Sequence, residues 1–432
     1  MGDTLRSRTV STKLQRIAKQ AEDYPQMVFT TLAHHMDIDF LREAYRRTRK
    51  DSTPGVDGIT AEQYGEYLEE NLKGLHERLK SGRYKAPPVV RAWLGKDNGK
   101  KRPIGKPTFE DKIVQRAVVM LMEPIYEQVF HDFSHGYRKG RSPHRAIKEL
   151  RGNLIDLRIN WVLIADITGL FDNLDHGILR ELIKKRMNDG TLLKLIGKWL
   201  NAGVMEDGSI HHPEQGTPQG GVISPILSNI FLHYVLDDWY EQEVKPRLKG
   251  RSFLIRWADD FIIGFEYKSD AERVMGVLPK RFGRYKLNLN EDKTLLIRFS
   301  KPFNEKESKD RGTFDFLGFT WYWGKGLKGY WVIKKKTARK RLSRFMKRTW
   351  QWCKNHLHEP IGEQYKTLCS KLRGFYQYYG VRCNYKALER TFRYTERAWR
   401  RWLSRRSHKG KVTFEDLRKS YPLPLPRIVH NI

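Results

Sequence analysis

Cysteine is scarce. Cys353, Cys369 and Cys383 are the three in 432 residues, too few and too far apart for a disulfide framework or a cysteine-based zinc site. Long apolar runs are missing too: no stretch approaches the ~20 residues that a membrane span needs. The first residues, Met1-Gly-Asp-Thr-Leu-Arg-Ser7, carry no apolar signal core, and Arg6 spoils a myristoylation pattern. A cytoplasmic protein with no membrane partner is expected. Acids are in deficit, with 50 Asp+Glu against 82 Lys+Arg and a formal net charge of +32. Such an excess repels itself without a polyanion, so nucleic acid is the expected partner. The bases are spread over the whole chain, which argues against one membrane-surface helix. Repeats and low-complexity segments are absent as well.

Hydrophobic residues make up 39% of the chain and aromatics 12%, enough for most of it to fold. Residues 1–50 read as helical and basic, and Thr60 with Gln63 forms a capping box for a helix that stops near Gly82. The segment Val89–Leu94 and the run Gly95–Gly105 read as a hairpin turning at Asn98-Gly99. Lys96 and Arg102 then stand on opposite arms, able to clamp a phosphate chain. Ser134–Ser142 is a basic, glycine-containing loop.

Trp161-Val-Leu-Ile-Ala-Asp166 reads as a buried strand ending in an acid, and a carboxylate there is costly unless paired or bound to a cation. Phe171 follows Gly169, and Asp175 is placed to N-cap a helix bearing Ile178, Leu179, Leu182 and Ile183. Gln215–Pro225 is a glycine turn opening a helix, with Ser224 as N-cap and Pro225 in the first turn. Phe253–Phe265 is a tight hairpin with the tip Trp257-Ala258-Asp259-Asp260; two acids in a tip are, taken alone, an ordinary turn. A helix over Glu272–Tyr285 follows. Strands are expected over Lys286–Leu289, Leu295–Phe299, Phe314–Trp323 and Tyr330–Ile333. This order predicts an α+β fold built on a split βαβ sheet with helices on one face.

Beyond Lys334 the composition turns basic. Ten Lys/Arg and no acid lie between Lys334 and Lys354, including Lys335, Arg339 and Arg344. Arg390, Arg393, Arg397, Arg400 and Arg401 then repeat at helical spacing among Leu388, Phe392, Trp399 and Trp402. Interleaved aromatics and scarce acids favour phosphate binding over a merely solvated face.

If the strand of Asp166 lies beside the 253–265 hairpin, Asp166, Asp259 and Asp260 converge. Like charges at close range raise one another's pKa, and two divalent cations about 3.5–4 Å apart relieve this and suit in-line attack on a phosphate. Mg²⁺, which prefers carboxylates plus substrate phosphates, is the expected ion, with Mn²⁺ as its substitute.

Ala165–His176, Gly216–Pro225 and the Ala-Asp-Asp hairpin resemble successive palm motifs of bacterial group II intron-encoded reverse transcriptases, or maturases. Pro54–Thr60, Lys96–Thr108, Ser134–Ser142, Asn288–Thr294 and Phe316-Leu-Gly-Phe319 are similar to its flanking motifs, in order. The resemblance covers roughly residues 40–410. It implies a right-hand polymerase with fingers, an antiparallel ferredoxin-like palm and an α-helical thumb. Its expected divisions are an N-terminal helical extension (1–50), fingers (51–155), palm (156–333), thumb or maturase domain (334–410) and a short tail (411–432) without an endonuclease domain.

It further implies Asp166, Asp259 and Asp260 as metal-binding catalytic acids and Ile167 as a carbonyl ligand. Lys96 and Arg102 would grip the incoming triphosphate, Phe171 would exclude a 2′-hydroxyl, and Gln219 would line the nucleotide pocket. Trp257, where the family usually has Tyr, and Lys293 would lie near the primer end. Lys335, Arg339, Arg344, Arg393, Arg397 and Arg400 are the expected RNA contacts. Partners would be an RNA template, a DNA primer, dNTPs and the parent intron RNA, in a bacterial, nucleoid- or RNA-associated setting. A non-catalytic intron-binding maturase and a domesticated enzyme of phage defence or repair are the alternatives.

Overall fold

The computed structural model describes residues 2–95, 101–206, 209–211, 216, 220–406, 410 and 412–432. The side chains of residues 2–8, 102, 206, 209–211 and 308–310 lie outside that description. The strands are β1 (Val89–Gly95), β2 (Lys101–Lys106), β3 (Trp161–Asp166), β4 (Val204–Glu206), β5 (Ser209–His211), β6 (Ser252–Trp257), β7 (Asp260–Phe265), β8 (Leu295–Arg298), β9 (Phe314–Phe316), β10 (Phe319–Lys325) and β11 (Trp331–Thr337). They form three sheets, ordered β2-β1-β4-β5, β6-β7-β3-β8 and β11-β10-β9.

The second sheet organises the molecule. It is antiparallel throughout, and its order is the one a β-α-β-β-α-β chain produces. Helices including His176–Lys184 and Ser224–Leu232 separate β3 from the β6–β7 hairpin, and the helix Lys268–Gly283 separates β7 from β8. The strands are apolar on both faces because both faces are covered. Leu163, Leu254, Phe261 and Ile263 join the larger core with Val274, Leu278 and Phe282 of the 268–283 helix. Val162, Ile255 and Ile262 pack on the opposite side with Ile147, Leu150, Phe319 and Trp321. The α+β expectation therefore stands.

Several local readings shift. The expected strand Lys286–Leu289 is a single bridge, Ile167 to Leu289, because the chain turns through positive φ at Lys286. The expected strand Phe314–Trp323 is a hairpin: Leu317 (φ 49°) and Gly318 (φ 78°) reverse the chain between β9 and β10. The capping box at Thr60 and Gln63 is present, but its helix breaks at Tyr67 into Ala61–Glu66 and Leu68–Lys80. Ser224 is the first helical residue and Ile223 the N-cap.

The helix begun at Ser224 continues through two π-turns, His233–Asp237 and Tyr240–Val244. Three later helices, Arg339–Asn355, Ile361–Tyr379 and Tyr385–Leu403, close on their own core around Leu368, Leu372, Leu388 and Trp399. Among the described residues no helix is long and apolar enough to cross a membrane. Cys353 and Cys369 are buried and Cys383 is exposed, all as free thiols.

Candidate active site

Strand pairing brings the acids together. β3 and β7 run in a register that sets Asp166 opposite Asp260, so their side chains share one face of the sheet. β6 and β7 pair Trp257 with Asp260, leaving Ala258 and Asp259 as a two-residue turn. Ala258 takes φ +56°, the positive first position that tight hairpins need.

The Asp260 carboxyl is pushed up to about 7. Lost hydration comes first among the causes, then the negative charges of Asp259 and Asp166 and a hydrogen bond shared with Asp166; Lys293 opposes them. The residue keeps one side open to solvent while protein crowds the others. Lys293 Nζ lies 2.6 Å from Asp166 Oδ2, so an ammonium offsets part of the negative charge at the cluster.

The tip is held from behind by residues that sequence reasoning missed. Arg256, wholly buried, donates from Nε to Asp237 Oδ1 (2.8 Å), from Nη2 to Asp237 Oδ2 (2.6 Å), and from Nη1 to Asn229 Oδ1 (3.0 Å) and the Ala258 carbonyl (3.1 Å). The signal was a lone arginine inside Phe253-Leu-Ile-Arg-Trp257, a charge that burial makes costly unless paired. The loop after Phe133 lies along the free edge of β6: Arg256 N donates to the Phe133 carbonyl and His135 N to the Arg256 carbonyl, both at 2.9 Å. Gly136 passes so close that a Cβ on it would sit 2.3 Å from Ala258 N. The basic character of this loop is partly turned inward, since Arg138 is buried on Glu127 and Arg141 pairs with Asp132.

Beside the acids, Ile167 is buried. Its bridge to Leu289 is closed by the flanking bonds Thr168 N to Asn288 O and Asn290 N to Asp166 O, so that bridge leaves the Ile167 carbonyl unused. Phe171, 6% exposed, sits in the turn Leu170–Asp172. Asp175 caps its helix by accepting from Ile178 N. Gly216 (φ +93°) lies against this turn: a Cβ there would come 2.8 Å from the Phe171 carbonyl oxygen, and His176 Nε2 donates to the Gly216 carbonyl at 2.6 Å.

Gly220 (φ +112°) presses on Gly105 of β2, where a Cβ would meet the carbonyl oxygen at 2.4 Å. The glycine loop thus touches both the Phe171 turn and the β1–β2 hairpin. Its exit is fixed by Ile223 N on Gln115 Oε1, whose amide in turn donates to buried Asp111. Lys96, the turn at Asn98-Gly99, Gln219 and the Arg102 side chain lie outside the described residues; the Arg102 backbone pairs with Leu94.

The basic region needs one correction. Lys335 is 3% exposed and donates to the Ile432 carbonyl at 2.7 Å, and burial lowers its pKa to about 8. On β11 it alternates inward with Ile333 and Thr337, so it offers no charge to solvent. Arg339, Arg393 and Arg397 are exposed, while Arg344 and Arg400 are half-buried. Arg393 pairs with Glu389 at 2.6 Å, and Arg400 lies over the Phe414 ring at 4.3 Å.

With this geometry in place, the profile of the reverse transcriptase (RNA-dependent DNA polymerase) family matches residues 94–321. The chain belongs to that family. It is 35% identical over 300 residues to the group II intron-encoded protein LtrA of Lactococcus lactis subsp. cremoris, covering 68% of this chain and 45% of LtrA. It is 37% identical over 303 residues to Protein YkfC of Escherichia coli (strain K12), covering 61% of this chain and 78% of YkfC. A shorter match, 32% over 105 residues, links it to nuclear intron maturase 1, mitochondrial, of Arabidopsis thaliana, over 24% of this chain and 14% of that protein. The chain therefore spans less than half of LtrA. Within the reverse transcriptases, these relatives support the bacterial group II intron type.

Proposed function

We propose that this reverse transcriptase synthesises DNA on an RNA template and also binds the group II intron RNA of its own element. The observation that carries the reading is the register of Asp166 against Asp260, with the Lys293 ammonium on Asp166, in a chain of this family. Lost hydration first, and then the charges of Asp259 and Asp166, raise the Asp260 carboxyl to about 7, and a bound cation would relieve that crowding. Asp166, Asp259, Asp260 and the Ile167 carbonyl would hold two Mg²⁺. Bound there, the ions would acidify the primer 3′-hydroxyl and neutralise the triphosphate.

The protein's own part is positioning. Asp260 would have to release its proton to hold a cation, and Lys293, paired with Asp166, would lie near the primer end. Lys96 and Arg102 hold the triphosphate from the β1–β2 hairpin. Phe171 lies under the sugar, Gln219 lines the nucleotide pocket, and Trp257 supports the primer terminus. In this reading residues 51–155 are fingers, 156–333 palm and 334–410 thumb, with 1–50 an N-terminal extension. Arg339, Arg344, Arg393, Arg397 and Arg400 would face intron or template RNA.

Primer extension on an RNA template with Mg²⁺ and dNTPs tests the polymerase, with Asp259→Ala as the inactive control. No extension by the wild type across several templates overturns it. Retained intron binding by Asp166→Ala, with extension lost, would separate the RNA-binding role from the chemistry.

A further inference from the structure

A second cluster of ligating side chains lies behind the catalytic hairpin. His131 Nε2 is 2.8 Å from Asp238 Oδ1, and His233 Nε2 is 3.4 Å from Asp238 Oδ2. The three ligand atoms all lie within 4.8 Å of one another, the one such group among the described residues. In a tetrahedral zinc site, bonds of about 2.0–2.2 Å put ligand atoms about 3.3 Å apart. The two separations, each to a different oxygen of Asp238, bracket that spacing, and the third is within 4.8 Å.

The chemistry of the donors agrees. His233 is 3% exposed, among the apolar and aromatic residues around it, and a metal takes the neutral form of an imidazole. Its Nδ1 has no hydrogen-bond partner; the ring proton can sit there and leave the Nε2 lone pair aimed into the cluster. His131 and Asp238 are each about a quarter exposed, which leaves an open side for a water as fourth ligand.

We infer that His131, His233 and Asp238 form a zinc site that staples the catalytic hairpin from behind. The position gives it that effect. Phe133 stands two residues after His131, and its carbonyl accepts from Arg256 N. On the other side, His233 opens and Asp238 follows the π-turn that carries Asp237, which grips the Arg256 guanidinium. One ion would therefore tie together the two segments that hold Arg256, next to the Asp259-Asp260 tip. Imidazole nitrogens select Zn²⁺ over the Mg²⁺ of an all-oxygen site.

The test uses the untagged full chain, loaded with Zn²⁺ and desalted. One retained equivalent is expected in the wild type and in Asp259→Ala, and none in His131→Gln or Asp238→Asn. Co²⁺ substitution should give visible bands of a nitrogen-ligated tetrahedral ion, absent in the same two variants. His131→Cys, which keeps a ligand, should restore retention, and this guards against simple misfolding of the other variants. No retained zinc in the wild type, or equal retention in His131→Gln, overturns the inference and leaves a hydrogen-bonded cluster only.

Discussion

Arg256 and Asp237, both fully buried, meet in a two-pronged ion pair at 2.8 and 2.6 Å, and the same guanidinium reaches the carbonyl of Ala258 in the hairpin turn. The site is thus built in two layers. Acids stand at the hairpin tip, and an arginine strut fixes the turn that presents them. Removing one partner of such a pair strands the other charge, which costs about 3–5 kcal/mol. Arg256→Met is expected to lose that much in urea unfolding and to abolish primer extension. The double variant Arg256→Met/Asp237→Leu should recover most of the stability but not the extension, because the bond to Ala258 stays lost. Recovery of both would mean that the strut has no part in placing the acids.

Gly136 gives a steric version of the same test. Its missing side chain makes room for the Ala258 backbone, 2.3 Å from where a Cβ would stand. Backbone cannot yield as a flexible side chain does, so Gly136→Ala is expected to cost about 1–3 kcal/mol and to reduce extension by displacing the turn. Gly74, inside the helix Leu68–Lys80 with nothing within 4 Å of an added Cβ, is the control. Gly74→Ala should gain up to about 1 kcal/mol with extension unchanged. Equal behaviour of the two variants in denaturation and extension would sink the prediction.

The acid cluster is expected to weaken the fold that carries it. With its pKa raised to about 7, Asp260 keeps its proton in the folded protein where an unfolded aspartate, near 3.9, has already released it. The folded state binds more protons between those values, so stability falls as pH rises through that window. Without divalent metal, Asp260→Asn should therefore match the wild type near pH 4 and exceed it at pH 8. The gain expected is about 1 kcal/mol, discounted because the residue is open to solvent. Extension should be lost. Melting curves in chelator at the two pH values check this, and an unchanged difference between them would refute it.

Much of this was legible in the sequence, and the exceptions have physical causes. The strand ending at Asp166 and the hairpin over Phe253–Phe265 show as apolar runs bounded by turn residues, and they form as expected. Their mutual register is non-local; spacing along the chain does not encode it, and the motif order supplied the expectation. Asp237 was hidden because a π-turn adds a residue to its helical turn, which rotates the side chains away from the regular 3.6-residue pattern. Leu317-Gly318 broke a strand because both take positive φ, which an apolar run does not reveal. Lys335 was readable and misread. The alternation Ile333, Lys335, Thr337 marks one face of a strand, and that face is buried.

That contrast makes the basic surface testable. Arg397 is exposed on the helix Tyr385–Leu403, and neighbouring Arg393 is partly neutralised by Glu389 at 2.6 Å. Each arginine that neutralises one phosphate contributes roughly one unit to the slope of log affinity against log salt. Arg397→Glu is expected to weaken RNA binding and flatten that slope by about one. Arg393→Glu should do less, because Glu389 already competes for the cation. Lys335→Met should leave the slope where it was, since its ammonium is committed to the Ile432 carbonyl, and show its effect as a shift in melting temperature instead. Filter binding across a salt series separates the three variants. A slope changed by Lys335→Met and not by Arg397→Glu would place the RNA on a different face of the protein.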